Sequence, residues 1–572
     1  MNGIANENRN AGTHDWGVTK PANSGEIEGF ASATSVFPGE IIKFYVRSKM
    51  PKYSMAFYRM GWYDGKGGRF MHLVPEVNTI EQPEPEINEL NKVECFWNVS
   101  YELVIPDDWC TGFYICKLSS LPESFERYII FVVKPKKQTK STYLLQIATN
   151  TYNAYNMWGG HSLYGSREAF ATNYPQPLNF RARVVSFNRP FQDWFGSGDF
   201  FNWEYQFIRW AEKNGLDLAY CSNQDLHEDK DLLKKTNAFI CPGHDEYWTK
   251  EMYDQVEETL ENGNIGLGFF NANPMYWQSR FEESYNGNNR NMVCYKCIRY
   301  IDFQEDPMYK INPSLVSAQF RDGNIKRPEQ KIVGQMYEGC FINGDPNQDL
   351  VFQHTNHWLF KDTGIEPGER FPKLLGYEYD RVWAQFPKPD NLIVLTRSPV
   401  QLKHSATSVE NTFANVTVYT KSNLNTVFAA GTSSWSWSLD DYLHDGQSLV
   451  SVKLQKLTMN ILKFISKQEV DQSVYEQVKN SKITATIKSN DKEINNSGID
   501  VNKKPLSVIK NKEVIGSSKI SKPRLLPFFV IVFGVLGFLI GYMQFEKVLA
   551  GVVIGVAMGL VIGRIVDKVR NT

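Results

Sequence analysis

The sequence predicts an α/β protein with an added all-β part and an apolar C-terminus. We expect an N-terminal β-sandwich (residues 1–138), a doubly wound, mostly parallel α/β domain (139–465), a linker (466–523) and a helical hairpin (524–572). Short strand patterns fill the first part, strands alternate with helices in the second, and two long apolar stretches close the chain. A chain of 572 residues is also too long for one hydrophobic core.

The sandwich is predicted from alternating apolar residues and frequent turn residues. Ile42, Phe44 and Val46 alternate with their neighbours, and residues 53–60 and 128–133 form further strand patterns. The segment 58–69 is an aromatic strand that ends in a glycine-rich turn and lacks the spacing of a phosphate loop. We expect it to serve packing or domain contact.

The α/β domain is predicted from strand patterns that alternate with helical ones. The expected strands are 143–148, 181–187, 216–221, 238–241, 265–270, 416–419 and 427–430, and the expected helices are 202–214, 225–235, 250–260 and 454–465. This alternation indicates a mostly parallel sheet with helices on both faces.

The C-terminal hairpin is predicted from two apolar stretches, residues 525–543 and 548–562, which four residues connect. Each is long enough, with its flanks, to span a bilayer. Glycines recur at every fourth position, a zipper spacing that allows close helix packing within the hairpin or in a homo-oligomer. Basic residues flank both outer ends, so both ends are expected on the cytoplasmic side. We therefore expect a membrane-anchored protein whose other domains are cytoplasmic.

Composition excludes some classes of protein. The net charge of −1 provides no general basic field for nucleic acid. Residues 1–20 lack the apolar core of a secretory signal, and the eight cysteines are scattered, which favours a reducing compartment. Cys294 and Cys297 form one CxxC without a second pair, so we interpret them as ordinary thiols.

The candidate site is centred on residues 237–248. The apolar strand 238–241 ends at Pro242-Gly243, and His244, Asp245 and Glu246 follow directly. In a parallel sheet, ligands bind at this carboxyl edge. Two tyrosine-rich segments, 150–164 and 198–205, are predicted to reach the same edge.

Several long motifs then resemble the large (beta) subunit of N,N-dimethylformamidase and its relatives, over about residues 10–465. The segments that carry the resemblance are Tyr-Arg-Met-Gly-Trp-Tyr at 58–63, Asn-Ala-Tyr-Asn-Met-Trp-Gly-Gly at 153–160 with Ser-Leu-Tyr at 162–164, Gly-His-Asp-Glu-Tyr-Trp at 243–248, Asn-Ala-Asn-Pro-Met-Tyr-Trp-Gln at 271–278 and Leu-Gly-Tyr-Glu-Tyr-Asp at 375–380. The linker and the hairpin lie outside the resemblance.

The resemblance implies a mononuclear iron, expected as Fe³⁺, held by Tyr164, Tyr205 and Glu246. Tyr152 and Tyr155 are the rivals for Tyr164. Two phenolates and a carboxylate are hard oxygen donors, which suit trivalent iron better than zinc.

The resemblance also implies catalytic or substrate-binding roles for His244, Asn273 and Glu378, with Asn271 as the alternative to Asn273. Glu378 would act as the general base, and His244 and Asn273 would stabilise the oxyanion. The expected activity is hydrolysis of a small amide, and a small partner subunit is implied.

Two alternatives belong to other classes of function. A cysteine hydrolase resembling the glutamine amidotransferases, whose sheet topology is similar, would need a cysteine at a strand-to-helix elbow, whereas Cys241 lies inside its strand. A membrane-tethered binding or scaffold protein would keep the fold without catalysis. Metal analysis distinguishes the scaffold from the enzyme.

Overall fold

The computed structural model describes residues 3–137, 139–166, 180–298, 300–341, 347–405, 408–442 and 448–468. The chain divides into two compact units, Met1–Asn490 and Asp491–Thr572, and all the described residues belong to the first.

The N-terminal part of this unit consists of short strands. They are β1 (Ile27–Ala31), β2 (Ser35–Val36), β3 (Ile41–Ser48), β4 (Lys52–Met60), β5 (Gly68–Asn78), β6 (Glu86–Ile87), β7 (Val93–Glu94), β8 (Tyr101–Val104), β9 (Gly112–Leu121) and β10 (Glu126–Val133), after a short helix α1 (Gly3–Glu7). One sheet has the order β1-β3-β8 and the other β2-β10-β9-β4-β5. Ile42, Phe44, Phe57, Tyr114 and Phe131 belong to one core that draws on both sheets.

The five-stranded sheet uses its second face to contact the α/β part. Tyr58, Ile115 and Ile130 alternate with the sandwich-core residues and share a core with the helices that follow. Because side chains alternate across a strand, one sheet serves two cores.

A buried ion pair joins the two parts of the unit. Arg59 Nη2 lies 2.6 Å from Glu212 Oε1, and both side chains are fully buried. Arg59 also donates to the hydroxyl of Tyr63 at 2.9 Å. Both Arg59 and Tyr63 belong to the aromatic segment 58–69, so this segment makes the domain contact that its sequence suggested.

The strands of the α/β part continue in chain order. They are β11 (Ser141–Ile147), β12 (His161–Ser162), β13 (Gly165–Ser166), β14 (Val184–Ser186), β15 (Leu218–Ser222), β16 (Thr236–Cys241), β17 (Tyr247–Thr249), β18 (Gly266–Phe269), β19 (Trp277–Ser284), β20 (Gly287–Val293), β21 (Met336–Cys340), β22 (Gln348–Val351), β23 (Arg370–Leu375), β24 (Glu378–Arg381), β25 (Ile393–Val394), β26 (Ser398–Ser405), β27 (Ser408–Ala414), β28 (Thr417–Thr420) and β29 (Thr426–Ala429).

The central sheet has the order β15-β11-β16-β18-β29-β28-β25. The first five strands are parallel, β28 pairs antiparallel with β29, and β25 pairs antiparallel with β28. The mostly parallel sheet agrees with the prediction.

Helices cover both faces of this sheet. The helices of the α/β part are α2 (Thr149–Tyr155), α3 (Phe200–Trp203), α4 (Tyr205–Lys213), α5 (Asn223–Glu228), α6 (Lys250–Asn262), α7 (Tyr300–Glu305), α8 (Met308–Ile311), α9 (Gln330–Val333) and α10 (Val452–Ile465). Leu144 and Phe239 pack with α6 on one face. Their neighbours Leu145 and Ile240 pack with α4 and α10 on the other.

Two sequence predictions need correction. The helix expected over 225–235 ends at Glu228, because Asp229 adopts an extended conformation and its carboxylate accepts from the N–H of Asp231 at 3.0 Å. Such local side-chain bonds compete with helix. The strand expected over 181–187 is only β14, which pairs antiparallel with β20 rather than joining the central sheet.

The predicted hairpin over 524–572 and nearly all of the linker lie outside the described residues. Within the described part of the chain, no helix is long and apolar enough to cross a membrane. The hairpin therefore stays a prediction.

Candidate functional site

The site lies beside β11, where the order of the strands in the parallel sheet reverses direction. Strand β15 pairs on one side of β11 and β16 on the other, so the segments that follow β11 and β16 diverge at one edge. Such a crevice at the carboxyl ends of parallel strands is where open α/β sheets bind ligands. His244–Glu246 follow β16, and α2 follows β11.

A cavity of about 450 Å³ opens at this edge. Its described lining residues are Tyr155, Met157, Ser162, Tyr164, Glu246, Asn273, Tyr276, Trp277, Lys296, Tyr337, Cys340, Tyr377 and Glu378. It thus includes Tyr164, Glu246, Asn273 and Glu378 from the sequence prediction.

Glu246 is the centre of the polar part of the cavity. The hydroxyl of Tyr155 donates to Glu246 Oε2 at 3.0 Å, and that of Tyr164 lies 2.8 Å from the same oxygen. The indole of Trp277 donates to Oε1 at 2.9 Å. Two phenol oxygens and a carboxylate therefore converge on one point.

The backbone that follows β16 is fixed by buried partners. The N–H of Glu246 donates to Thr151 Oγ1 at 3.0 Å. The carboxylate of Asp245 accepts from Gln146 at 2.6 Å and from Asn223 at 2.9 Å. Asp245 thus orients this turn, and it is not among the residues that line the cavity.

His244 forms an ion pair with Glu378. Its Nε2 lies 2.6 Å from Glu378 Oε2 and 3.7 Å from Glu246 Oε2. Burial opposes the charged imidazolium, but Glu378, Glu246 and Asp199 outweigh it and raise the pKa of His244 to about 9. His244 therefore carries its second proton at neutral pH.

Glu378 and Asn273 also line the cavity. Glu378 begins β24, which pairs with β21 opposite Cys340. The N–H of Asn273 donates to Asp380 Oδ1 at 2.9 Å, and the residue has a φ of 55°. Its Oδ1, like that of Asn271, is buried without a hydrogen-bond partner in the described part of the chain, and of the two residues Asn273 is the one that lines the cavity. Asn271 instead donates to Gly243 O.

Lys296 is a site residue that the sequence analysis missed. Its ammonium lies 3.4 Å from the ring centroid of Tyr164 and donates to Tyr247 Oη at 3.0 Å. Burial lowers the pKa of Lys296 to about 8, against the attraction of Glu246. Its only sequence signal was its place inside the CxxC, between Cys294 and Cys297.

Tyr205 does not reach this cavity. It is fully buried, its hydroxyl donates to the carbonyl of Gly67 at 2.6 Å, and its ring contacts Trp16 and Tyr442. The structure thus brings Tyr164 and Glu246 together as expected, and it brings Tyr155 rather than Tyr205 beside them. Tyr155 lies one turn beyond Tyr152, whose ring packs near Phe191.

The donor set fits a hard cation. Burial, with Glu246 next, raises the pKa of Tyr155 and Tyr164 well above the ordinary value for a phenol. A bound cation would be needed to displace those protons. In the described residues no group of three or more His, Cys, Asp and Glu side chains has metal-site geometry. The phenol oxygens of Tyr155 and Tyr164 and the carboxylate of Glu246 are hard oxygen donors that lie within hydrogen-bond distance of one another.

Burial disfavours the thiolate form of the cysteines near the site, and it also raises the pKa of Cys340, which lines the cavity. Cys241 is buried inside β16, and burial raises the pKa of its thiol well above the ordinary value. Cys294 and Cys297 are both buried, free thiols, and burial raises the pKa of Cys294 to about 12. Neither thiolate nor zinc chemistry is favoured.

Comparison with known proteins identifies a family. A family model described as "N,N-dimethylformamidase beta subunit-like, C-terminal" matches residues 54–448. The N,N-dimethylformamidase beta subunit of Paracoccus aminophilus is 23% identical over 476 residues, which cover 72% of this chain and 59% of that protein. The chain thus spans about three fifths of that relative's length.

Among solved structures, a family 123 glycoside hydrolase from Clostridium perfringens aligns with 9% identity and a TM-score of 0.10, over 47% of this chain and 48% of that one. That likeness is too low to support any conclusion.

Proposed function

Because the chain belongs to the N,N-dimethylformamidase beta subunit-like family, we propose that it hydrolyses the C–N bond of an amide in the cavity around Glu246. The observation that carries this proposal is the convergence of Tyr155, Tyr164 and Glu246 beside the His244–Glu378 pair. Oxygen ligands for a metal and a carboxylate that can act as a general base are parts that metal-assisted amide hydrolysis uses.

Tyr155, Tyr164 and Glu246 would hold a mononuclear iron. Iron bound there would supply a Lewis acid that polarises the amide carbonyl. The ammonium of Lys296 lies over the ring of Tyr164, where its positive charge would stabilise the phenolate form of Tyr164. In this proposal Tyr155 replaces the Tyr205 of the sequence-based ligand set.

Glu378 is the proposed general base. Its carboxylate lines the cavity and would take a proton from the attacking water as the new C–O bond forms. The C–N bond then breaks, and Glu378 returns the proton to the departing amine. The products are a carboxylic acid and an amine, so the reaction consumes one water and needs no other reactant.

His244 and Asn273 would stabilise the negative charge that develops on the carbonyl oxygen. The Nε2 of His244 faces Glu378, so His244 contributes its positive charge rather than a hydrogen bond to the oxygen. Asn273 presents its carboxamide to the cavity and would supply the hydrogen bond.

We also propose a partner subunit and a membrane tether. The matched relative is named as a beta subunit, which supports association with a small partner. The proposed tether is supported by the apolar stretches at 525–543 and 548–562, and by the positive-inside rule their basic flanks would put the catalytic part on the cytoplasmic side.

The test is a hydrolysis assay with a matched pair of variants. We expect the iron-supplied chain to release amine and carboxylate from N-methylformamide or N,N-dimethylformamide, observed by NMR. Glu378→Gln should lower kcat by at least about 100-fold with iron content unchanged, because an amide cannot act as a base. Glu366→Gln, at an exposed glutamate, is the control. Full activity of Glu378→Gln would refute the base assignment.

A further inference from the structure

The cavity is larger than a small formamide requires. Its volume is about 450 Å³. At roughly 30 Å³ for each non-hydrogen atom, the share of a water molecule in the liquid, the four non-hydrogen atoms of N-methylformamide would fill roughly a quarter of it. A ligand of about ten to fifteen non-hydrogen atoms would fill it, which is within the range of ordinary ligand pockets.

Six of the 13 described lining residues of the cavity are aromatic. Tyr276 and Tyr337 have ring centroids 5.2 Å apart at 59°, and Tyr276 contacts Trp277 edge-on at 5.0 Å. Both Tyr276 and Tyr337 are half-buried and line the cavity, as does Tyr377. Such tilted rings offer faces and edges on which another ring can pack.

Resting on the proposed amide hydrolysis, we propose that the substrate is an amide with an aromatic group on its nitrogen substituent, packed against Tyr276 and Tyr337. The carbonyl end would lie between Glu246 and Glu378, and the aromatic group would be bound by the ring wall. The reaction again consumes one water, and its products are a carboxylic acid and an arylalkyl amine.

Three formamides with similar departing amines test this assignment on the full-length, iron-supplied chain. They are N-benzylformamide, N-(cyclohexylmethyl)formamide and N-methylformamide. We expect kcat/KM to be at least about tenfold higher for the benzyl than for the methyl compound, and to be higher for benzyl than for cyclohexylmethyl. If N-methylformamide is hydrolysed as efficiently, or the saturated ring equals the benzyl ring, the inference is overturned while the proposed function stands.

Variants of the wall give a second readout. Tyr276→Leu and Tyr337→Leu should lower the benzyl-to-cyclohexylmethyl ratio of kcat/KM, because a leucine removes the ring face but keeps apolar volume. Phe70→Leu, at an aromatic residue that is 48% exposed on β5, is the control and should leave the ratio unchanged. An unchanged ratio in both wall variants would contradict the assignment.

A binding measurement distinguishes failure of this inference from failure of the proposed function. If none of the three compounds is hydrolysed, the proposed function is refuted. Saturation-transfer NMR then decides the ligand class. Tighter binding of N-benzylformamide than of the cyclohexylmethyl compound, weakened by Tyr337→Leu, would support the aromatic assignment, and equal or absent binding would overturn it.

Discussion

Tyr155→Phe and Tyr205→Phe should separate metal binding from stability. Tyr205 donates to the carbonyl of Gly67 at 2.6 Å, and that carbonyl also accepts from the N–H of Gly61 at 3.0 Å. Loss of one of two hydrogen bonds should cost about 0.5–1.5 kcal/mol of the free energy of unfolding. Iron content should stay unchanged, because Tyr205 lies outside the cavity.

Tyr155→Phe should differ in its effect on iron. Its ring stacks on Tyr164 with centroids 4.1 Å apart, and phenylalanine keeps that packing while it removes the oxygen at Glu246. We expect a similar loss of about 0.5–1.5 kcal/mol of the free energy of unfolding in the metal-free protein, but with iron content and the visible phenolate-to-iron absorption strongly reduced. Elemental analysis and absorption spectra of both variants measure this. If Tyr205→Phe loses iron and Tyr155→Phe keeps it, the ligand assignment is wrong.

Three further predictions concern the unit as a whole. Glu212→Ala should lower the free energy of unfolding by about 3–5 kcal/mol, because it leaves the buried Arg59 unpaired; a loss below about 1 kcal/mol in denaturation would contradict this. Burial raises the pKa of Glu204 to about 8, above its ordinary 4.5. Between pH 4.5 and pH 8 the folded state therefore binds more protons than the unfolded state, and the free energy of unfolding falls as the pH rises through this range. Glu204→Gln should therefore stabilise the protein at pH 8 and have little effect at pH 4, which melting curves at both pH values would show, and equal shifts would refute it. Truncation after Gln468 should release the protein from membranes with its iron retained, as cell fractionation would show; a full-length chain found in the soluble fraction would contradict the hairpin.

The parallel sheet and its edge were predictable because they depend on local sequence. The apolar run before Pro242 and the cap at Thr249 are short-range signals, and β16 and α6 form where they predict, with Thr249 Oγ1 accepting from the N–H of Met252. These signals place His244 and Glu246 at the carboxyl edge of β16. Period-two alternation of Ile42, Phe44 and Val46 likewise placed β3.

The composition of the site was only partly predictable because it depends on contacts between distant segments. Tyr155 and Tyr205 both occupy tyrosine-rich segments near the sheet edge, and no local pattern says which one faces Glu246. The difference comes from helix orientation: α2 carries Tyr155 towards β17, while α4 carries Tyr205 against the N-terminal β-sheet part. Lys296 reaches the site from the segment after β20, whose antiparallel pairing the sequence pattern did not indicate.

Anomalous diffraction at the iron absorption edge, from crystals of the iron-supplied chain, tests the central claim most directly. The account predicts one anomalous peak within bonding distance of Tyr155 Oη, Tyr164 Oη and the Glu246 carboxylate. A peak beside Tyr205, or no peak between these three side chains in protein that hydrolyses an amide, would contradict it.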